Sequence, residues 1–466
     1  MIETLPTIAA ISTAPGKGAI ACIRVSGKDV YAICNKIFQA KNGKSIEEQA
    51  VHNLCFGLIT DDGNVLDEVL LAKFQSPHSY TGEDIVEITC HGSVYIQQKI
   101  LQLLLKHGVH LAKAGEFTQR AFMNGRIDLS QAEAVADLIA SSSSAAHRIA
   151  LNQMRGGFSN ELRNLRNELL DFISLIELEL DFGEEDVEFA DRSRLNELSG
   201  HIAGVIKKLA DSFEAGNVIK NGIPVAIIGE TNTGKSTLLN FLLNEDRAIV
   251  SNIHGTTRDI IEDITSIEGI TFRFIDTAGI RETHDTVENI GIERTFQKIN
   301  QASIILWLVD ALNKTSDIQK LAQKIIPLTG GKKLIMVLNK VDLLDKHEIR
   351  EKEAVLNRLS PGSDLVSISA TLQTHTDALI HKLVKASALS EIKDNDVIIT
   401  NMRHYEALNR AYDSTLRVID GLKNNISGDF LSQDIREALH YLGEITGEIS
   451  TNDILENIFS KFCIGK

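Results

Sequence analysis

Paired cysteines, long apolar runs and basic residues are all scarce in this sequence, and each scarcity excludes a class of protein. The five cysteines are odd in number and scattered, with no C-x-x-C pair, so neither a disulfide framework nor a zinc site is predicted. No apolar run approaches the roughly eighteen residues of a membrane-spanning helix. The N-terminus has no basic segment followed by a long apolar core. We therefore expect a soluble, cytoplasmic protein without a membrane partner.

Positive charge is the third scarcity. The chain has 48 Lys and Arg against 63 Asp and Glu, a formal net charge of −15. Proteins that hold nucleic acid over a broad surface neutralise its phosphates with many basic residues. No such surface is predicted, so any RNA contact must be local or shared with a partner.

Hydrophobic patterning divides the 466 residues into four segments. Residues 1–119 contain short strand-like runs such as GAIACIRVSG, NVLDEVLLAKF and EDIVEITC, with helices near Val30–Phe38 and Val94–Lys106, and predict an α+β domain. Residues 120–215 and 384–466 have helical periodicity. Residues 216–383 alternate helices with the apolar strands VAIIG, ITFRFID, IILWLVD, LIMVLNKVD and LVSIS, which is typical of a parallel sheet. The fold class is therefore multidomain, with an α/β domain inserted into a discontinuous α-helical domain that follows the α+β domain.

One long apolar face runs through the first helical segment, and its spacing predicts the core of a helix bundle. Its members are Leu162, Leu165, Leu169, Phe172, Ile173, Ile176 and Leu180. The acidic stretch DFGEEDVEFAD, residues 181–191, then breaks the helix. A solvated connector and a cation site are both open readings of this stretch.

Residues 225–239, VAIIGETNTGKSTLL, run from a strand into a glycine-bracketed loop and a helix start. Successive backbone N–H groups at a helix N-terminus can surround a polyphosphate, a lysine can reach its terminal phosphates, and a serine hydroxyl can hold Mg²⁺. This pattern predicts GTP contacts at Gly229, Asn232, Thr233, Gly234, Lys235, Ser236 and Thr237, with Ser236 also a Mg²⁺ ligand.

Three downstream motifs complete a nucleotide site. Thr256 and Thr257 lie in a GTTRD loop, where a threonine can complete the metal shell, and Asp276-Thr277-Ala278-Gly279 follows the strand ITFRFI. We predict Mg²⁺ ligands at Thr257 and Asp276. The third motif, Asn339-Lys340-Val341-Asp342, follows LIMVL, and Ser369-Ala370 follows LVSI. A carboxylate at Asp342 would accept two N–H bonds from guanine but would meet a lone pair on adenine, so GTP is the predicted nucleotide.

These motifs resemble those of the translation-factor-related GTPases. The residue after Asp276-Thr277-Ala278-Gly279 is Ile280, where Ras-like proteins carry a glutamine that orients the attacking water. An apolar side chain cannot orient water, so another group must do so.

Three further stretches resemble the tRNA-modification GTPases of the MnmE (TrmE) family: TIAAISTAPGKGAIACIRVSG at 7–27, GEFTQRAFMNGRIDLSQAEAVADLI at 115–139, and the terminal FCIGK. The resemblance implies modification of the 5-position of the wobble uridine of tRNA, together with the flavoprotein MnmG in a heterotetramer. It also implies that the N-terminal domain binds a tetrahydrofolate one-carbon donor, in the 5-formyl or methylene form. Matching folate-binding positions are Arg24, Glu87, Arg126 and Lys466; Arg126 stands where some members have lysine.

The resemblance further implies a homodimer in which K⁺-dependent pairing of two GTPase domains activates hydrolysis. Its K⁺ positions fall on Asn232, Ser251, Ile253 and Thr256, and Glu288 matches the glutamate that orients water in place of the missing glutamine. The loop reads ETNT, where many members have a proline beside the asparagine.

Two questions stay open at this level. The alternative function is a regulatory GTPase switch in ribosome or RNA-complex assembly, which would not require the folate-type residues or the FCIGK tail. Cys463 in that tail could be a nucleophile, but no base for it is identifiable, and a packing role is equally consistent.

Overall fold

The computed structural model describes residues 5–181, 192–244, 263–275, 299–387, 397–460 and 462–465. The chain divides into two compact units. The first comprises Met1–Ile139, Asn152–Gly204 and Ala407–Lys466, and the second comprises Ala140–Leu151 and Val205–Glu406. The three predicted domain borders stay predictions; the border at 119 falls within a helix, Glu116–Met123.

The N-terminal part of the first unit is a seven-stranded sheet in the order β3-β4-β5-β6-β2-β1-β7. Neighbouring strands pair antiparallel, except that β1 and β7 are parallel. The strands are β1 (Ile8–Ile11), β2 (Ile20–Ser26), β3 (Phe38–Ala40), β4 (Leu54–Asp61), β5 (Asn64–Phe74), β6 (Ile85–His91) and β7 (His110–Leu111).

Alternate residues of these strands form a core on one face of the sheet. Ile23, Val25, Val86 and Ile88 are fully buried, with Leu104 of helix α2 (Val94–Lys106) in the same cluster. The predicted strands of this domain and α2 are confirmed. The predicted helix from Val30 is shorter than expected, because α1 (Val30–Cys34) ends early and Phe38 pairs in β3.

The helical part of the first unit is built on α6 (Gly157–Asp181) packed against α14 (Gly428–Thr446). The predicted apolar face of α6 is buried from Leu162 to Ile176, which confirms its role as core. The other helices that lie wholly or partly in this unit are α3 (Glu116–Met123), α4 (Leu129–Ala140), α5 (Ser144–Met154), α7 (Arg192–Asp211), α13 (Met402–Lys423) and α15 (Asn452–Phe459).

The second unit contains a six-stranded sheet in the order β13-β12-β11-β8-β10-β9. Its strands pair parallel except for β9 with β10. They are β8 (Ile223–Ile228), β9 (Asp263–Ile267), β10 (Ile270–Phe274), β11 (Ile304–Asp310), β12 (Lys333–Asn339) and β13 (Asp364–Ile368). The parallel α/β sheet is confirmed, and β9 is an additional strand on its edge.

Helices cover both faces of this sheet, which explains why its central strands are apolar throughout. Ile227 and Val337 belong to one core, whereas Ala226, Trp307 and Met336 belong to the other. The helices of the unit are α8 (Phe213–Asn221), α9 (Lys235–Asn244), α10 (Thr315–Ile325), α11 (Lys346–Leu359) and α12 (Thr376–Ala386), with short 3₁₀ turns at Ile326–Thr329 and Val341–Leu343.

Candidate functional site

The predicted phosphate loop connects β8 to α9. The strand ends at Ile228 and the helix begins at Lys235. Gly234 has a φ of +94°, and a Cβ atom there would lie 2.3 Å from the side-chain nitrogen of Asn339, so only glycine fits. Asn232 has a left-handed φ of +62°, a conformation in which asparagine is one of the few tolerated residues. The predicted strand, loop and helix are therefore all present.

Lys235 and Thr233 hold the loop from within. The Lys235 Nζ donates to the carbonyl oxygens of Gly229 at 2.9 Å and Glu230 at 2.5 Å. The Thr233 hydroxyl, which is buried, donates to the same Glu230 carbonyl at 2.9 Å. These contacts place the lysine ammonium at the loop, which suits a polyphosphate ligand.

Asn339 joins the phosphate loop to the loop after β13. Its side chain is 2% exposed, and its Nδ2 donates to the Thr233 carbonyl at 2.8 Å. Its Oδ1 accepts from the Ala370 N–H at 3.0 Å. One buried amide therefore fixes two of the predicted nucleotide segments relative to each other.

The other predicted residues of these two loops do not share the contacts of Asn339. Lys340 has a φ of +67°, and its Nζ donates to Asp310 Oδ2 at 2.6 Å. Asp342 lies in the short 3₁₀ turn and is exposed. The Ser369 Oγ accepts from the Leu372 N–H at 3.2 Å. Asp342 thus has an open carboxylate beside a supported loop, and its predicted contact with the base stays a prediction.

Several predicted site residues lie outside the residues that the structure describes. They are Ser251, Ile253, Thr256, Thr257, Asp276, Thr277, Ala278, Gly279, Glu288 and Lys466. Ser236 and Thr237 are described at the start of α9, with Ser236 partly buried and Thr237 exposed.

A second candidate site lies in the N-terminal domain, where Arg24 of β2 is opposite Glu87 of β6. The Arg24 Nε and Nη2 both donate to Glu87 Oε1 at 2.8 Å. The Arg24 guanidinium carbon lies 5.0 Å from the ring centroid of Tyr80 and 5.7 Å from that of Phe117. Two of the predicted folate-binding residues are therefore brought together beside aromatic rings.

Arg126 lies near this site without joining the ion pair. Its Nε donates to the carbonyl oxygen of Ser79, the residue before Tyr80, at 3.2 Å. The Tyr80 hydroxyl is hydrogen-bonded to Thr118 Oγ1 at 2.8 Å. Arg126 and Thr118 thus hold the segment that carries the Tyr80 ring.

Two titratable groups around Arg24 are held in their neutral forms. Burial, and to a lesser extent the nearby Glu87 carboxylate, together raise the pKa of the Cys22 thiol to about 11, against a smaller opposing effect of Arg24. Burial also raises the pKa of the Tyr80 hydroxyl. Cys22 is therefore a thiol rather than a thiolate near neutral pH and is a poor nucleophile.

The C-terminal tail lies against the N-terminal domain. Ile464 forms an antiparallel bridge with Ala114, and the Ser12 hydroxyl donates to the Gly465 carbonyl at 3.2 Å. Gly465 has a φ of +96°, and a Cβ atom there would lie 2.4 Å from the Ile11 carbonyl oxygen. Cys463 is an exposed free thiol in this docked segment, and its roles as a nucleophile or a packing residue both stay open.

Sequence reasoning missed Arg120, the largest polar side chain buried in this domain among the residues described. It is 1% exposed, and its Nη2 donates to Glu116 Oε1 at 2.7 Å and to the Pro6 carbonyl at 2.9 Å. Its Nη1 donates to Glu83 Oε1 at 3.2 Å, and Glu83 Oε2 accepts from the Ser26 hydroxyl at 2.7 Å. The i,i+4 spacing of Glu116 and Arg120 was the one local signal; Glu83 is 37 residues away.

The fold and the nucleotide loops together define the class of protein. A phosphate loop connects a parallel strand to a helix, and the buried Asn339 of the NKVD segment is hydrogen-bonded to that loop and to the loop after β13. This is the architecture of a P-loop GTPase. Family models match the chain as "GTP-binding protein TrmE N-terminus" over residues 7–126 and "MnmE helical domain" over residues 129–463.

Curated relatives extend this match over the full length. The "tRNA modification GTPase MnmE" of Bacteroides thetaiotaomicron is 59% identical over 462 residues, and that of Bacteroides fragilis is 60% identical over 465; each alignment covers 99% of both chains. The protein of the same name from Parabacteroides distasonis is 54% identical, covering 99% of this chain and all of that one. The chain therefore belongs to the MnmE family of GTP hydrolases, which confirms the resemblance inferred from its motifs.

Two observations bear on the expectations from composition. All five cysteines are free thiols. Within the described ranges, no helix combines the length and apolar character needed to cross a membrane.

The Arg120 network predicts a measurable loss of stability. Replacing Arg120 by Leu leaves the Glu83 and Glu116 carboxylates and the Pro6 carbonyl without their shared donor. We expect the free energy of unfolding of this domain to fall by about 3 kcal/mol, measured by native-state hydrogen exchange of the β2 and β6 amides. The exposed Arg163→Leu control should change it by less than about 0.5 kcal/mol. A loss below about 1 kcal/mol for Arg120→Leu would show that the network is not stabilising.

Proposed function

We propose that this protein is a K⁺-activated GTPase that works with the flavoprotein MnmG to modify the 5-position of the wobble uridine of certain tRNAs. The modification adds an aminomethyl or carboxymethylaminomethyl group, with a tetrahydrofolate derivative as the one-carbon donor. The observation that carries the proposal is that one chain holds the asparagine-bridged phosphate loop and also an N-terminal domain with both the Arg24–Glu87 pair and the docked tail. The name of its relatives, tRNA modification GTPase, supports the substrate class.

The nucleotide site fits GTP. The Lys235 ammonium group lies at the phosphate loop, where it donates to the Gly229 carbonyl. No residue larger than glycine fits at position 234 of this loop. Asp342 has an exposed carboxylate, which can accept the two N–H bonds that guanine offers. Ser236, Thr257 and Asp276 would hold Mg²⁺, which would supply positive charge to offset the negative charge that develops on the phosphates.

The donor set around Asn232 fits K⁺. Side-chain amide and backbone carbonyl oxygens are ligands for weakly hydrated hard cations, and the proposed set is Asn232, Ser251, Ile253 and Thr256. When bound, K⁺ supplies the positive charge that an arginine finger supplies in other GTPases. Asn232 is exposed and left-handed, which leaves it available at the surface of the loop.

In this proposal, Glu288 orients the attacking water. Ile280 cannot hydrogen-bond to water, so a carboxylate must orient the nucleophile from another segment. Glu288 is the matching glutamate of the family. Its role is catalytic because it would contact the attacking water directly.

The N-terminal site fits a folate derivative by its chemistry. A reduced pterin contains a planar pyrimidine ring that presents several N–H donors and acceptors. Arg24 provides donors, Glu87 provides acceptor oxygens, and Tyr80 and Phe117 offer ring faces beside them. Lys466 follows the docked Gly465 in sequence, so a contribution from the tail is consistent with this site.

Surface properties support the proposed homodimer and partners. Leu54, Phe56 and Leu70 are exposed on neighbouring strands, with Phe56 opposite Leu70, and this apolar surface supports pairing of two N-terminal domains. A net charge of −15 argues that tRNA is held partly by MnmG. The cytoplasm, where tRNA is modified, is the proposed location.

The salt dependence of GTP hydrolysis tests the proposed activation. We expect hydrolysis in KCl to exceed that in NaCl of equal ionic strength by at least about tenfold, because K⁺ would stabilise charge in the transition state. Asn232→Ala should remove this difference, whereas Asn221→Ala, at the opposite end of β8, should keep it. Addition of MnmG and tRNA should raise the K⁺-specific rate. Equal rates in both salts for the wild type would favour the simple assembly switch.

Folate binding tests the N-terminal site separately. Arg24→Ala should weaken binding of 5-formyltetrahydrofolate by about tenfold, because a charge-assisted contact is lost. Isothermal titration calorimetry measures this affinity, and Lys36→Ala provides a control that removes an exposed cation of the same domain. Unchanged affinity in Arg24→Ala would remove this residue from the folate site.

A further inference from the structure

Glu230, the residue after Gly229, forms a long-range hydrogen bond that nothing in its local sequence predicts. Its Oε2 accepts from Asn313 Nδ2 at 2.8 Å, across 83 residues of sequence. The loop from Gly229 to Gly234 contains no proline, and both Glu230 and Asn232 are exposed. Its conformation must therefore depend on contacts rather than on a rigid residue.

Asn313 is itself firmly held. It lies in the turn after β11, where its N–H donates to the Asp310 carbonyl at 3.1 Å and its own carbonyl accepts from Lys352 Nζ of α11. Asp310 Oδ1 accepts from the Leu312 N–H at 2.9 Å, and Asp310 Oδ2 accepts from Lys340. Asn313 is thus a fixed anchor that belongs to the same region as the NKVD segment.

Further hydrogen bonds hold the phosphate loop on both sides of Asn232. The Glu230 carbonyl accepts from the Thr233 hydroxyl and from Lys235. Thr233 is 1% exposed, and its carbonyl accepts from Asn339. Asn232 therefore lies between two residues that are each tied to the body of the domain.

We propose that the Glu230–Asn313 hydrogen bond positions Asn232 for K⁺. The inference rests on the proposed K⁺ activation. A left-handed backbone conformation has a free-energy cost even for asparagine. A loop that is already ordered keeps Asn232 in this conformation before the cation binds, so that less free energy is lost on binding. Glu230 and Asn313 act through Asn232 and do not contact the nucleotide or the cation themselves, so both are positioning residues.

The proposal predicts that K⁺ affinity depends on this hydrogen bond rather than on the charge of Glu230. Glu230→Gln keeps an acceptor oxygen for the Asn313 amide but removes the charge. Glu230→Ala and Asn313→Ala remove the bond. Asn313→Asp places two carboxylates together, whereas the double variant Glu230→Gln with Asn313→Asp restores the bond with donor and acceptor exchanged.

The measurement is the fluorescence of a bound non-hydrolysable guanine nucleotide labelled with N-methylanthraniloyl, titrated with KCl against NaCl at constant ionic strength. The K⁺ concentration at half-saturation should rise by about fivefold in Glu230→Ala, Asn313→Ala and Asn313→Asp. It should stay within about twofold of the wild type in Glu230→Gln and in the double variant. Glu351→Ala, which removes an equally negative and exposed side chain from α11, controls for net charge.

A second readout needs neither K⁺ nor hydrolysis. Hydrogen exchange of the segment 229–235 in the nucleotide-free protein should be faster in Asn313→Ala than in the wild type and should return to the wild-type rate in the double variant. If the wild type responds to K⁺ but Asn313→Ala has the same half-saturation, or if the double variant is no better than Asn313→Asp, the positioning role is wrong. If the wild type itself responds equally to K⁺ and Na⁺, the proposed activation fails and the positioning role fails with it.

Discussion

The nucleotide site depends on the side chain of Asn339, whose two hydrogen bonds hold the phosphate loop and the loop after β13 in one arrangement. The amide is buried, so losing either partner would leave a polar group unsatisfied at a cost of roughly 1–3 kcal/mol. β12 places Asn339 at the carboxyl end of a parallel strand, beside β11 and β13. In open parallel sheets this is the edge where ligands bind. The phosphate loop and the loop after β13 are therefore coupled through a single residue.

The same principle, a buried polar group satisfied by distant parts of the chain, organises the N-terminal domain. Arg120 joins Glu116, Glu83 and the Pro6 carbonyl, and the Glu83 carboxylate extends the network to Ser26 of β2. The network orders the domain that carries the partly exposed Arg24–Glu87 pair. A buried network of charged groups thus lies in the same domain as the Arg24–Glu87 pair, whose own side chains are partly exposed.

The sequence was informative wherever the relevant signal is local. Apolar periodicity located β5, α2 and the core face of α6, and the glycine spacing located the phosphate loop. Prediction failed where a distant partner decides the outcome: α1 ends at Cys34 because Phe38 pairs with Ile59, and the short strands β3 and β7 exist only through their neighbours. Neither the Arg120–Glu83 nor the Glu230–Asn313 contact leaves a trace in the spacing of nearby residues. The folate-type residues were found through family resemblance, because an arginine and a glutamate 63 positions apart carry no pattern of their own.

The phosphate loop is tied through Asn339 to the segment that we propose reads guanine, and the base preference of Asp342→Asn tests this arrangement most directly. An asparagine at this position matches the donor and acceptor pattern of xanthine instead of guanine. Competition binding with GTP and XTP should show the wild type preferring GTP and the variant preferring XTP, each by roughly a hundredfold, as expected for two hydrogen bonds gained or lost. An unchanged preference for GTP in the variant would contradict the assignment of Asp342 and, with it, the proposed arrangement of the site.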